Sequence, residues 1–170
     1  STTTKLISDI LSQNDIPNFM GGNIGIPLLD FPTKYNELKH HVIELSSYQL
    51  ESFKKFDPYI SILLNISRDH LDRYKNFNEY IAQKEKLIIS NHKGYKIICI
   101  DDQHTYLIYQ KYKKKIIPIS SKPFKGSIFY EKNTIVDDFF EKNKKIELKE
   151  ISSSLFGNFN IQNILAAYAV

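Results

Sequence analysis

The stretch HVIELSSYQLES at residues 41–52 contains the pattern from which the rest of the chain can be interpreted. Its first residues, 41–45, form an apolar run with the length of a buried strand, and residues 46–54 follow with the spacing of a helical turn. Two further apolar runs, YISILLN at residues 59–65 and YKIICI at residues 95–100, are each followed by polar residues. Strands that alternate with helices in this way indicate an α/β domain with a mainly parallel sheet flanked by helices.

Helical periodicity completes the pattern on both sides of this stretch. Apolar residues recur at helical spacing in residues 3–13, 76–90 and 160–170, and a further helix is predicted to start at Asp101-Asp102 and to run to Tyr109. Residues 76–90 form the clearest amphipathic pattern, with aromatic and aliphatic side chains on one side. These helices are the elements expected to cover the sheet.

Short segments elsewhere predict loops and further strands. Residues 21–25 (GGNIG) have the composition of a turn-rich loop, and residues 126–148 are typical of a small lobe of antiparallel strands. Parallel strands align their carboxyl ends, so we expect Glu44 and Asn65 to emerge at the same edge of the sheet. One largely parallel sheet is expected to contain residues 41–45, 59–65, 95–100 and 115–119.

Composition limits the class of protein. The chain has 170 residues, a mass of 19.9 kDa and 42% hydrophobic residues, which suits one folded domain. The single cysteine, Cys99, excludes a disulfide framework and a cysteine-based zinc site. The chain contains no apolar run of about 18 residues and begins with STTTK, so no membrane span or secretion signal is expected. These features predict a cytoplasmic protein.

The charge balance has two interpretations. A net charge of +4 and a pI near 8.9 are compatible with a nucleic-acid surface. However, the densest lysine runs, at residues 113–115 and 144–145, adjoin short strand-like stretches, which is typical of solvated strand ends. We therefore expect no nucleic-acid partner.

Two polar groups at the ends of predicted elements suggest phosphate or metal chemistry. Residues 1–4 (STTT) start a helix, where hydroxyls either cap the helix or form the tail of a phosphate loop whose glycines and lysine lie upstream. Glu44 ends an apolar strand, where Mg²⁺ would hold a desolvated carboxylate ionised. An ion pair or a helix cap explains Glu44 equally well. Ser46, Ser47 and Gln49 then offer neutral groups to a polar substrate.

Two further candidates follow the second strand. Residues 65–74 (NISRDHLDRY) concentrate two Asp, one His and two Arg; a lone histidine is usually structural, but His70 follows a buried strand beside an acid. Lys84 lies within the amphipathic helix and, by spacing alone, is an ordinary surface lysine.

The order of these motifs carries more information than any one of them. STTT, GGNIGIP, ELSSYQLE, LNISRDHLDRY, YIAQK and GNFNIQNILAA together closely resemble the central ATPase domain of the Mur ligases. The resemblance covers nearly the whole chain and is weakest over residues 103–152. Within the family, ELSSYQLE is most similar to the branch that adds D-glutamate.

The resemblance implies two Mg²⁺ sites. It makes Glu44 the ligand of the ion between the β- and γ-phosphates of ATP, and His70 a ligand of the second ion. It makes Lys84 a carbamylated lysine, an anion that supports the second metal. His70 and Lys84 are thus the residues expected to be catalytic.

The resemblance also implies ligand contacts. Ser1 and Thr2 match the hydroxyls that contact ATP phosphates and Mg²⁺. Asn160 and Asn163 match the asparagines near the adenine. The positions that match those holding UDP-N-acetylmuramoyl-L-alanine are Asn23, Ser46 and Gln49.

The implied reaction is ATP-dependent amide bond formation in peptidoglycan synthesis. The substrate carboxylate attacks the γ-phosphate to give an acyl phosphate and ADP, and the amine of D-glutamate then displaces phosphate. Both the carboxylate and the triphosphate are anionic, so cations between them remove repulsion. We expect the full-length enzyme to be a monomer.

Two departures from the family pattern accompany the resemblance. Phe159 stands where the family usually has His, and the phosphate-loop glycines and lysine are absent. We therefore expect residues 1–170 to be a central ATP-binding domain truncated at both ends, without the N-terminal UDP-binding and C-terminal amino-acid-binding domains, and inactive alone as a ligase. The alternatives are another Mur-type or folylpolyglutamate-type ligase, or a noncatalytic nucleotide-binding fragment.

Overall fold

The computed structural model describes residues 1–30, 38, 40–68, 73–90, 93–149 and 157–170. Five α-helices and one short 3-10 helix lie within these ranges: α1 (Thr2–Gln13), the 3-10 helix (Leu28–Asp30), α2 (Ser47–Ser52), α3 (Phe77–Ile89), α4 (Gln103–Tyr112) and α5 (Asn158–Tyr168). The described strands are β1 (Asn18–Gly22), β2 (His40–Glu44), β3 (Ile60–Leu63), β4 (Tyr95–Cys99), β5 (Ile116–Ser120), β6 (Ile128–Glu131), β7 (Thr134–Asp137) and β8 (Lys144–Glu147).

The strands form two sheets in the described part of the chain. Strands β1 and β2 pair with each other in parallel, and the larger sheet has the order β3-β4-β5-β6-β7-β8. Strands β3 to β6 run parallel to one another, whereas β7 is antiparallel to both of its neighbours, β6 and β8. The predicted α/β class with a mainly parallel sheet is confirmed.

The expectation of one sheet shared by four strands is wrong for one of them. Strands β3, β4 and β5, which correspond to residues 59–65, 95–100 and 115–119, are adjacent and parallel. Strand β2 pairs instead with β1, a strand that the sequence analysis did not predict. Glu44 and Asn65 therefore follow strands of different sheets. Periodicity identifies a strand but not its neighbour, which is why β2 was misplaced.

The antiparallel strands in residues 126–148 are present as predicted. They extend the larger sheet rather than standing apart, because β6 pairs in parallel with β5 through Ile119 and Ile128. The hairpin between β6 and β7 turns through Lys132 and Asn133, which both have positive φ. The predicted lobe is thus the edge of the main sheet.

Two apolar clusters lie on the two faces of the larger sheet. Ile97, Cys99 and Ile119 pack on one face with Leu165 of α5, and Ile98 packs on the other face with residues of α3 and α4. Successive residues of a strand point to opposite faces, so burial on both sides explains why Ile97, Ile98 and Cys99 of β4 are all apolar. No helix in the described ranges is long and apolar enough to cross a membrane.

Local signals explain where the clearest helix begins. Helix α3 agrees closely with the predicted residues 76–90, and Asn76 is its N-cap, whose side chain accepts a hydrogen bond from the Glu79 amide at 3.0 Å. An Asn at this position satisfies one of the amides that a helix start leaves unpaired. The helix therefore begins where its cap and its apolar periodicity both require.

Asp101 joins three elements at the carboxyl end of β4. Its carboxylate accepts hydrogen bonds from the Ser120 hydroxyl at 2.8 Å, the Ser121 amide at 3.0 Å and the Gln162 side-chain amide of α5 at 3.0 Å. Burial by itself raises the pKa of this carboxyl, but the hydrogen bonds outweigh it and hold the pKa below its ordinary value of 3.8. The ionised form of Asp101 thus stabilises the fold.

We expect Asp101→Asn to lower the free energy of unfolding by about 1 kcal/mol at neutral pH, because the charge and one acceptor are lost. A folded-state pKa below the unfolded one contributes stability above the unfolded value and loses it as the pH falls through the folded value. The difference between wild type and variant should therefore shrink below the ordinary pKa of 3.8. Urea unfolding at neutral pH and at about pH 3 measures this difference in the free energy of unfolding.

Asp57→Asn is the matched control, because Asp57 is exposed and the same change there should alter the free energy of unfolding little at either pH. A difference between wild type and Asp101→Asn that is equal at both pH values would contradict the prediction.

Candidate functional site

The start of α1 meets the end of β2 at the Glu44 carboxylate. Glu44 Oε1 accepts a hydrogen bond from Asn23 Nδ2 at 3.1 Å and lies 3.4 Å from the Ser1 hydroxyl. The Ser1 backbone nitrogen lies 2.6 Å from Glu44 Oε2. Three residues predicted from the sequence as phosphate, substrate and metal contacts are therefore brought together.

Glycine at position 22 makes this arrangement possible. Its φ is 108°, and a Cβ there would lie 2.2 Å from the Glu44 carbonyl oxygen. The next residue, Asn23, donates its backbone amide to that same carbonyl at 2.8 Å. Residues 21–25 were interpreted as a loop, but Gly21 and Gly22 end β1, and the lack of a side chain lets the chain approach β2 closely.

The Glu44 carboxyl is held in its ionised form. Burial opposes ionisation, yet the contact with the Ser1 nitrogen and the hydrogen bonds from the Asn23 and Ser1 side chains outweigh it and lower the pKa. Oε2 is buried, and the Ser1 nitrogen lies against it. A buried anionic oxygen of this kind fits a cation.

Mg²⁺ suits such a site because it usually retains water and binds one or two carboxylates together with phosphate oxygens. Within the described ranges, no three His, Cys, Asp or Glu side chains could enclose a metal by themselves. Glu44 is thus the described residue that fits the predicted Mg²⁺. His70 lies outside the described residues.

A second polar cluster links α1 to α5. The Thr3 hydroxyl donates to Asn163 Oδ1 at 2.5 Å, and Asn163 Nδ2 donates to Asn160 Oδ1 at 3.0 Å. The two asparagines predicted to lie near the adenine therefore contact each other and the helix that starts at Ser1 and Thr2. Thr2 itself is exposed at that helix start. Thr3 was not predicted, because no local pattern connects it to residues 160 positions away.

Ser46 and Gln49 have a structural role that the sequence analysis did not assign. They form a capping box: Ser46 Oγ accepts from the Gln49 amide at 3.3 Å, and Gln49 Oε1 accepts from the Ser46 amide at 2.9 Å. The S-x-x-Q spacing was the available signal. The box places the N-cap of α2 two residues after Glu44.

Lys84 is half-buried, unlike its exposed neighbour Lys86. Its Nζ lies 5.7 Å from the centre of the Tyr80 ring. Helix α3 packs against α2, which follows Glu44. The structure therefore places Lys84 on the packed side of α3 rather than on the solvated side that spacing alone suggested.

Two carboxylates anchor the described residues on either side of positions 69–72. Asp102 Oδ2 accepts from the Ile66 amide at 3.0 Å, and Glu51 Oε1 accepts from the Tyr74 hydroxyl at 2.5 Å. Glu51 also lies 3.4 Å from Arg73 Nη2. The pKa of Glu51 is lowered, first by the Tyr74 hydrogen bond and then by Arg73. Glu51 was not predicted to have a role, because its partner Tyr74 lies 23 positions away and no local pattern connects the two.

The sequence profile of the Mur ligase middle domain matches residues 1–170. The UDP-N-acetylmuramoylalanine–D-glutamate ligase of Rickettsia bellii (strain RML369-C) is 42% identical over 177 residues, which cover 100% of this chain and 38% of that protein. The protein of the same name from Geotalea daltonii is 34% identical over 171 residues, covering 99% of this chain and 37% of that protein. The chain thus spans less than two fifths of these relatives.

A solved structure has the same fold. The structure of a UDP-N-acetylmuramoyl-L-alanyl-D-glutamate–2,6-diaminopimelate ligase superimposes with a TM-score of 0.75 at 20% identity, covering 99% of this chain and 40% of that one. Profile and fold agree over the whole length compared, and the chain belongs to the Mur ligase middle-domain family.

Proposed function

We propose that this chain is the central ATP-binding domain of a longer ligase that joins D-glutamate to UDP-N-acetylmuramoyl-L-alanine. ATP would convert the substrate carboxylate into an acyl phosphate, and the amine of D-glutamate would displace phosphate. The names of the relatives from Rickettsia bellii and Geotalea daltonii support this choice of substrates. Because ATP is the energy source, we place the reaction in the cytoplasm.

The observation that carries the proposal is the contact between the start of α1 and the Glu44 carboxylate. A helix start offers unpaired amides and a partial positive charge to a phosphate group. An ionised carboxylate beside it, with one oxygen buried, is suited to a Mg²⁺ that also binds the phosphates. Bound there, Mg²⁺ would neutralise charge on the triphosphate.

The remaining residues have proposed roles around this centre. Ser1 and Thr2 contact phosphate, Asn160 and Asn163 contact the adenine, and Glu44 holds the first metal. Asn23, Ser46 and Gln49 bind the UDP substrate; for Ser46 and Gln49 this requires that the capping box leave part of each side chain accessible. Lys84, once carbamylated, would support a second metal together with His70.

The proposed activity is tested with the longer protein that contains this chain. It should form UDP-N-acetylmuramoyl-L-alanyl-D-glutamate, ADP and phosphate from ATP with D-glutamate, and no product with L-glutamate or a diamino acid. Product formation with another amino acid, or ATP turnover without ligation, would exclude the proposed substrates. The 170-residue chain alone is expected to form no product.

Glu44→Gln should lower the ligation rate on the order of a hundredfold, since loss of a preorganised charge at a reacting phosphate has this magnitude. Glutamine keeps the size of the side chain and removes only the charge that a cation requires. The rate should recover partly at high Mg²⁺ concentration. Steady-state rates measured across a Mg²⁺ titration test both points.

Glu147→Gln provides the same substitution on exposed strand β8 and should keep the wild-type rate. Equal rates for Glu44→Gln and wild type would remove Glu44 from the metal site.

Lys84→Ala should reduce turnover by orders of magnitude if Lys84 is carbamylated. Carbamylation joins the neutral amine to the carbon of CO₂, with release of a proton to solvent, and burial of a lysine favours its neutral form. A small carboxylate could occupy the vacated anionic position in the variant. Turnover should therefore recover in part when acetate or formate is added, and a rate comparison with and without these anions measures this.

Lys86→Ala is the cleaner control on this helix, because Lys86 is exposed. Glu85 pairs with Lys111 of α4 at 2.9 Å, so Glu85→Ala also removes a contact between helices. Both control variants should stay active without a response to acetate. Wild-type turnover of Lys84→Ala would return Lys84 to a structural role.

A further inference from the structure

Helix α5 begins without a side chain of its own to cap it. Its N-cap is Gly157, with a φ of 113° and no side-chain hydrogen bond. Helices usually satisfy their first amides through a capping side chain, which also sets where the helix starts. The orientation of the first two turns of α5, which contain Asn160 and Asn163, therefore depends on contacts from other elements.

Two such contacts reach α5 from two earlier elements of the chain. The Gln162 amide donates to Asp101 at the end of β4, and Asn163 accepts from Thr3 of α1. Asp101 bonds Gln162 and so holds the helix itself in place. Thr3 acts directly on the amide of Asn163.

The Thr3 contact continues through a second hydrogen bond. Thr3 donates to Asn163 Oδ1 at 2.5 Å, and Asn163 Nδ2 donates to Asn160 Oδ1 at 3.0 Å. An amide whose oxygen and nitrogen are both engaged cannot turn freely, so each bond restricts the next side chain. These two hydrogen bonds thus link the helix that begins after Ser1 to both asparagines.

We propose that Thr3 is a positioning residue for the nucleotide. Its hydroxyl holds Asn163, and through it Asn160, in the orientation that contacts the base. Thr3 lies in the first turn of α1, so the same helix contacts the phosphates through Ser1 and sets the base contacts through Thr3. This inference rests on the proposed ATP site. It adds a residue that affects the binding of the base of ATP and not the binding of its phosphates.

The test uses the longer protein, with ATP and with inorganic tripolyphosphate, a ligand that has phosphates but no base. Thr3→Val keeps nearly the same shape and removes the hydroxyl. It should raise the KM and the dissociation constant for ATP roughly three- to tenfold, the effect of one lost neutral hydrogen bond. Binding of tripolyphosphate and kcat at saturating ATP should not change.

Thr3→Ser is the matched variant, because it retains the hydroxyl and should bind ATP like the wild type. Thr3→Ala, which introduces no new atoms, replaces Thr3→Val if that variant does not fold. In an Asn163→Ala background, Thr3→Val should weaken ATP binding no further, since a residue that acts through another has no effect once that partner is gone.

The inference is overturned if Thr3→Val weakens tripolyphosphate as much as ATP, or if its effect adds in full to that of Asn163→Ala. The inference also fails, while the proposed function stands, if Asn163→Ala weakens ATP binding and Thr3→Val does not. A wild-type protein that binds neither ligand would instead overturn the proposed function, and the inference with it.

Discussion

Burial of the parallel strands on both faces is the constraint from which the rest of the structure follows. With α5 on one face and α3 and α4 on the other, β4 has no solvated side, and Ile97, Ile98 and Cys99 are fully buried. A polar side chain within such a strand would lose its hydration without a partner. Charged groups are therefore found where the strands end, and Asp101 and Asp102 follow β4 directly.

Carboxylates organise the loops at these strand ends. Asp101 joins β4 to the end of β5 and to α5, and Asp102 caps α4 while accepting the Ile66 amide of the loop after β3. An ionised carboxylate accepts several hydrogen bonds at once, and such bonds are stronger than neutral ones. Each of these residues therefore adds polar contacts between segments that the apolar core also joins.

The candidate site follows the same principle in the smaller sheet. Glu44 ends β2, and its carboxylate is satisfied by Asn23 from the end of β1 and by Ser1 from the start of α1. The missing side chain at Gly22 lets these segments approach, because any Cβ there would overlap the Glu44 carbonyl. One oxygen of Glu44 is buried, and an anionic oxygen in such a place suits a cation.

The sequence by itself determined the elements whose signals are local. Apolar period and the Asn76 cap specify α3, and largely apolar runs specify β3, β4 and β5, because burial on both faces leaves few positions for charged side chains. Glu44 was identified for a related reason: a carboxylate that directly follows a buried strand needs a partner. The order of the motifs established the family resemblance, and the resemblance identified Asn23, Asn160 and Asn163.

Only the tertiary structure decided which elements meet. Periodicity shows that one side of an element is buried but not what covers it, so the pairing of β2 with β1 was missed. The links from Thr3 to Asn163 and from Glu51 to Tyr74 were missed too, because each joins positions far apart in the chain. Such contacts are selected by the packing of whole helices, which no local pattern of residues records.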